Sequence, residues 1–247
     1  MSAGAVAVVL VAVVIGSITK GVTGSGLPTV AIPVMAGFIG VEAAVIVMAF
    51  PTVVTNSWLL WEHRHEARNA RHLKRMLATG AAGSVAGVFI LTTLPAAVLS
   101  LTLALVIFTY AGYSLVRPDV AIGERSARVL SPGVGFAGGI AQGATGIAGP
   151  LVATYVHGFR LDPGAYVFTI AAQFQVFAAV QVATFLALGR YTVDLALSSL
   201  LALVPVVLFL PVGIRLARRL DARRFHRVVL IVLVVMGGKL FYDGITG

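Results

Sequence analysis

Fourteen of the eighteen lysines and arginines fall in three short stretches, residues 62 to 75, 117 to 128 and 215 to 227, and long apolar runs separate them. No soluble domain is laid out this way, because a surface that meets water needs charges spread over it, at about a quarter of all residues. Here 11% of residues are charged and 59% are apolar, more apolar surface than one core of 247 residues can enclose. The surplus must face lipid. Clusters of Lys and Arg beside apolar segments mark cytoplasmic loops, so the net charge of +9 reports topology. It does not report nucleic acid, whose recognition needs a polar fold with aromatic residues interleaved among the basic ones. The absence of cysteine removes disulfide scaffolds, Cys-ligated metal and thiol nucleophiles, and no cofactor or metal is expected.

About 20 apolar residues span a bilayer as a helix. On that ruler residues 3 to 22, 41 to 61, 76 to 94 and 96 to 116 form spans in the first half, and 132 to 148, 163 to 188, 194 to 214 and 228 to 243 in the second. The N-terminal MSAGAVAVVL lacks the positive flank and the cleavage site of a secretory leader and reads as a first membrane segment. Two shorter stretches, 27 to 39 and 149 to 158, follow Gly-rich breaks and read as half helices. The expected fold class is an all-α polytopic membrane protein built of two inverted repeats, residues 1 to 116 and 132 to 247, joined by a cytoplasmic linker at 117 to 131. Each repeat opens on a broken or re-entrant Gly-rich helix pair, 3 to 39 and 132 to 158, followed by three transmembrane helices.

The repeat is visible when residue n is laid against residue n + 122. GSITKGVTGSGLPTVAIPV at 16 to 34 then aligns with GGIAQGATGIAGPLVATYV at 138 to 156, with nine of nineteen positions identical. Among them are Thr23 with Thr145, Pro28 with Pro150 and paired glycines. Later in each half the offset becomes 126, pairing Gly87 with Gly213 and Gly112 with Gly238. If all three basic loops are cytoplasmic, the segment at 132 to 158 must re-enter or cross twice, and either choice gives each half an odd number of crossings. The halves are then inverted, both termini lie outside, and the construction is that of secondary transporters.

Chemistry concentrates at the breaks. GVTGSGLP at 21 to 28 and GATGIAGP at 143 to 150 interrupt the helical ladder at membrane depth, where unpaired backbone groups cost several kcal/mol. Proline suits a first helical turn because it has no N–H to leave unpaired, so a half helix starts near Pro28 and near Pro150. Its free N–H groups and dipole make an anion site of backbone. The expected substrate-binding residues are Lys20, Gly21, Thr23, Gly24, Ser25 and Gly26 in the first break, and Gln142, Gly143, Thr145, Gly146 and Gly149 in the second. Asn56, Gln173 and Gln175 are polar residues at membrane depth that line a pathway or bond between helices, and Gln181 belongs with them. Tyr155 and His157 read as interface anchors or substrate contacts. Glycines that only permit close helix packing are the plainer reading of each break taken singly.

No carboxylate sits mid-membrane, since Glu42, Asp162, Asp194 and Asp243 all lie near segment ends. An intramembrane serine protease would need a base near Ser25, and the repeat places Ile147 at the matching position. His63, His65 and His72 sit among five basic residues that repel a cation and read as a solvated face. The chain is not expected to be an enzyme.

GVTGSGLPTVAIPV, GFAGGIAQGATGIAGPLVATYV, the small-residue helix GAAGSVAGVFILTTLP and the eight main segments resemble the TauE/SafE family, the sulfite exporters also described as sulfonate permeases, over essentially the whole chain. Members commonly carry a richer glycine run after the first helix than Gly24, Ser25 and Gly26. The resemblance implies a bacterial inner-membrane carrier that moves sulfite or an organosulfonate outward. The reading is a secondary transporter of a small anion by alternating access around a midplane site formed by two half-helix N-termini. An anion channel and a non-transporting membrane scaffold are the alternatives. Partners are the small anion and the lipid bilayer, with a coupling proton or sodium ion and assembly into a homo-oligomer left open.

Overall fold

Every apolar segment is wound into helix, as a chain that must satisfy its own backbone groups in hydrocarbon requires. The structure is a computed structural model and describes residues 3–23, 26–70, 73–116, 122–217 and 222–246. In order these form α1 (Ala3–Thr23), α2 (Leu27–Ile39), α3 (Val41–Glu62), a 3-10 turn (Arg64–Arg68), α4 (Leu73–Thr93), α5 (Ala96–Val116), α6 (Glu124–Thr145), α7 (Gly149–His157), α8 (Pro163–Ala187), α9 (Val193–Leu201), α10 (Leu203–Ala217) and α11 (Ala222–Thr246). Among the described residues there is no strand. Seven stretches among the described residues are long and apolar enough to cross a membrane: Gly4–Val22, Val41–Glu62, Leu73–Thr93, Ala96–Ser114, Pro163–Ala187, Val193–Leu216 and Arg227–Thr246. The protein is a multi-pass membrane protein.

The differences from the sequence reading are local. The segment expected at 132 to 148 belongs to a helix that already starts at Glu124, inside the expected linker, and it is not among the seven. Hydropathy stops at charge, whereas the ERSAR turn that opens α6 is charged and still helical. Residues 194 to 214 form two helices separated at Ala202. Pro205 has no N–H to offer the Leu201 carbonyl, so the ladder opens there.

The chain packs as two compact units, Met1–Pro51 with Thr93–Val116 and Gly189–Gly247, and Thr52–Thr92 with Arg117–Leu188. Each unit therefore draws on both halves of the sequence. In the first unit α2 folds back along α1, close enough that a Cβ on Gly16 would lie 2.7 Å from the Leu27 carbonyl oxygen and 3.2 Å from the Ala31 Cβ. Helix α10 lies on α1, and α5 on α11. Gly21 and Gly213 make the first of these contacts: a Cβ on Gly21 would sit 2.6 Å from the Leu210 carbonyl oxygen and 2.7 Å from the Gly213 Cα.

In the second unit α7 folds back along α6, with Gly138 against the Val152 side chain. Helix α4 meets α6 through Gly87 and Gly143, where a Cβ on Gly143 would sit 2.7 Å from the Val88 nitrogen and 2.8 Å from the Gly87 carbonyl carbon. Gly143 follows Gly21 by 122 residues and Gly213 follows Gly87 by 126, so the same glycine junction is built twice, once within each unit.

The second broken segment ends where it began. Ile122 N–H donates to the Gly158 carbonyl at 2.8 Å, and the Tyr155 hydroxyl donates to the Ala127 carbonyl at 2.8 Å and pairs with the Ser131 hydroxyl at 2.9 Å. Helix α7 thus returns to the end at which α6 starts, which is the geometry of a re-entrant hairpin.

Candidate functional site

Both breaks follow one local plan. In the first unit α1 ends at Thr23, and Gly26, with φ of 105°, is the N-cap of α2. Only glycine adopts that angle without strain. Pro28 follows in the first turn, no side chain caps the helix, and Val30 N–H closes the first main-chain bond to the Gly26 carbonyl at 3.1 Å. In the second unit Gly146, with φ of 70°, ends α6 and donates its N–H to the Gln142 carbonyl at 2.8 Å. Helix α7 then starts at Gly149 with Pro150 in its first turn and no side-chain cap. Two helix N-termini, of thirteen and nine residues, thus begin inside apolar units with their first N–H groups uncapped by side chains.

Around the first break Lys20 is buried at 7% exposure, next to buried Ser17 and Thr19. The two hydroxyls bond back to Val13 and Ile15 carbonyls of their own helix, at 2.6 Å and 2.8 Å. Gly21 serves the contact with α10. Gly24, Ser25 and the Thr23 side chain lie outside the described residues.

Around the second break the polar groups are better defined. Thr145 donates its single hydroxyl proton to the Ala141 carbonyl at 2.7 Å and accepts the Ile147 N–H at 3.3 Å. It braces the break and has no proton left for a ligand. Gln142 donates to the Gln181 side-chain oxygen at 3.3 Å, and Gln181 donates to the carbonyls of Gln142 at 2.8 Å and Gly143 at 3.3 Å. Gln181 therefore adds a second donor to the Gln142 carbonyl and one to that of Gly143 at the end of α6, the interhelical bonding that was one of the two roles expected of it. Gly143 serves the contact with α4.

Of the three other expected residues, Asn56 is buried on α3. Gln175 donates to the Ser57 hydroxyl at 3.0 Å. Gln173 is different: it is 0% exposed, and among the described residues neither its amide nitrogen nor its oxygen has a hydrogen-bond partner. Ile170 and Phe177, on the same face of α8, pack in one cluster with Ala148 and Val152. Gln173 therefore lies on the face that α8 turns toward the start of α7. A buried amide without partners costs about 1–3 kcal/mol.

Tyr155 is committed to the α6–α7 hairpin, and His157 meets the Tyr166 ring edge-on at a centroid distance of 6.2 Å. Among the described residues no three His, Asp or Glu side chains are grouped as a metal site would need.

The family model for sulfite exporter TauE/SafE matches residues 8–240, from the first helix to the last. The chain belongs to the TauE/SafE sulfite exporter family. No curated protein and no solved structure gives a significant match. TauE/SafE proteins are membrane transporters of sulfite and sulfonates, and the match runs through both breaks, so the uncapped helix tips fall within the part of the chain that defines the family.

Proposed function

We propose that this protein is a secondary transporter that exports a small anion, sulfite or an organosulfonate, from bacterial cells across the inner membrane. The observation that carries the proposal is a helix, α7, that starts inside its unit without a side-chain cap, in the same unit as a buried Gln173 amide that has no partner among the described residues. Such a tip supplies N–H groups and about half a positive charge to an anion. The Gln173 nitrogen adds a neutral donor. Within the other unit the α2 tip and Lys20 hold the matching positions of the repeat.

Neutral donors suit a transported anion, because a site of several fixed cations would hold it too tightly to release. Transport proceeds by alternating access, with helix-tip N–H groups replacing the hydration of the anion. The halves are inverted, with loops 62–75, 117–128 and 215–227 cytoplasmic and both termini outside. The return of α7 to the start of α6 supports this, since a re-entrant second segment is one of the two arrangements that the charge count allows.

The test is a thermal-shift series on detergent-purified protein with sulfite, sulfate, thiosulfate, small sulfonates, small carboxylates and chloride. A ligand that binds only the folded state raises its stability. Selective stabilisation by a sulfur oxyanion or sulfonate is expected. A flat response to every anion would sink the proposal.

A further inference from the structure

The end of α3 carries a surface that transport does not use. Trp58 and Trp61, one helical turn apart, are 57% and 72% exposed. Large amphipathic rings at the end of a membrane-spanning helix belong at headgroup level, where one edge is apolar and the other wet. The chain then turns through Arg64–Arg68. The Arg64 guanidinium lies 4.6 Å from the centroid of the Trp61 ring, and its Nη1 donates to the Trp61 carbonyl at 2.8 Å. One bond and one ring thus hold the cation in place, and among the described residues no carboxylate pairs with it.

The nearby acid is engaged elsewhere. Glu66 accepts the Asn69 amide at 2.7 Å and lies 3.6 Å from His65. Residues 62 to 75 hold five Lys and Arg against two carboxylates, and Arg68, Lys74 and Arg75 are exposed. Lys74 and Arg75 stand in the first turn of α4, where a helix dipole disfavours cations. An anion beside them offsets that.

We propose that this surface binds the phosphate headgroup of an anionic phospholipid, with Trp58 and Trp61 seated at the boundary and Arg64, Arg68, Lys74 and Arg75 taking phosphate oxygens. The planar fork of arginine matches phosphate. Exposed indoles adjoining the charge select a lipid over a soluble anion, because only a membrane boundary offers both environments.

Native mass spectrometry of the full chain with phosphatidylglycerol, with phosphatidylcholine and with soluble glycerophosphoglycerol tests this. Preferential retention of phosphatidylglycerol is expected, weakened about fivefold for each charge removed in the double variant Arg64→Gln, Arg68→Gln. Arg64→Lys keeps the charge but loses the fork, and falls between. Because Arg64 also ties down the end of α3, the pair Arg68→Gln, Lys74→Gln carries the same prediction with that bond intact. Equal retention of the two lipids, or phosphatidylglycerol retention unchanged in both double variants, overturns the proposal. Binding of glycerophosphoglycerol as tight as that of the intact lipid overturns the lipid assignment.

Discussion

Gln181 and Gln142 bond to each other twice, the Gln181 amide reaching the Gln142 main-chain carbonyl at 2.8 Å while the Gln142 side chain donates to the Gln181 oxygen at 3.3 Å. The pair ties α8 to the end of α6 just before the second break, where the last carbonyls of a helix run short of main-chain donors. Gln181→Leu removes a buried donor shared by the Gln142 and Gly143 carbonyls and leaves the Gln142 amide without its side-chain partner, and is expected to destabilise the protein by about 1–3 kcal/mol. Thermal unfolding in detergent measures this. A variant as stable as the parent would show that the bonds contribute nothing.

Gln173→Leu is expected to do the opposite. Replacing a buried amide that has no partner with an apolar side chain of similar size is neutral or stabilising. Under the proposed function the same change removes a donor to the anion, so anion-dependent stabilisation should fall while the melting temperature holds or rises. Loss of stability together with an undiminished anion response would contradict both halves of this expectation.

The paired glycine junctions predict matched responses. Alanine at Gly21 or at Gly143 places a Cβ within 2.8 Å of backbone on the facing helix, and overpacking of this kind costs about 1–3 kcal/mol. Gly112 has open space at its Cβ, so Gly112→Ala is the control and should cost little. Unfolding temperatures of the three variants decide it.

Tyr191, in the turn between α8 and α9, donates its hydroxyl to the Ile46 carbonyl at 2.9 Å. Burial pushes its phenol above the ordinary tyrosine value, with a bond to Ser199 acting the other way. A group whose folded value is raised contributes stability below its unfolded value, near 10 for tyrosine, and loses it as pH rises toward the folded one. Stability should therefore decline above about pH 10, and Tyr191→Phe should flatten that decline. Parallel alkaline melting curves for parent and variant would refute it.

Much of this fold is legible in the chain itself. Apolar runs separated by basic clusters mark the spans, and Gly-Pro spacing marks both breaks, because length and backbone freedom are properties of a segment alone. Pairing is not. That Gln142 meets Gln181, that Tyr155 reaches Ala127, and that Thr145 turns its proton inward to Ala141 depend on which helix faces meet. Three polar residues of equal promise in the sequence thus divide into one that caps a helix end, one that braces a break and one, Gln173, that has no partner. The early start of α6 was hidden for a related reason: hydropathy measures affinity for lipid, and Glu124 and Arg125 are poor in that respect yet good in helix.

The hydrogen bond from Ile122 to Gly158 bears on how the protein is made. A segment whose two ends meet can be inserted from a single face of the membrane. Arg125 and Arg128 stand at its start and Arg160 just past its end, and dragging each through the bilayer centre during biogenesis would cost about 2.5–3.5 kcal/mol. A hairpin that closes on itself in this way leaves all three on one side, and no Lys, Arg, Asp or Glu lies between Arg128 and Arg160 to be carried inward.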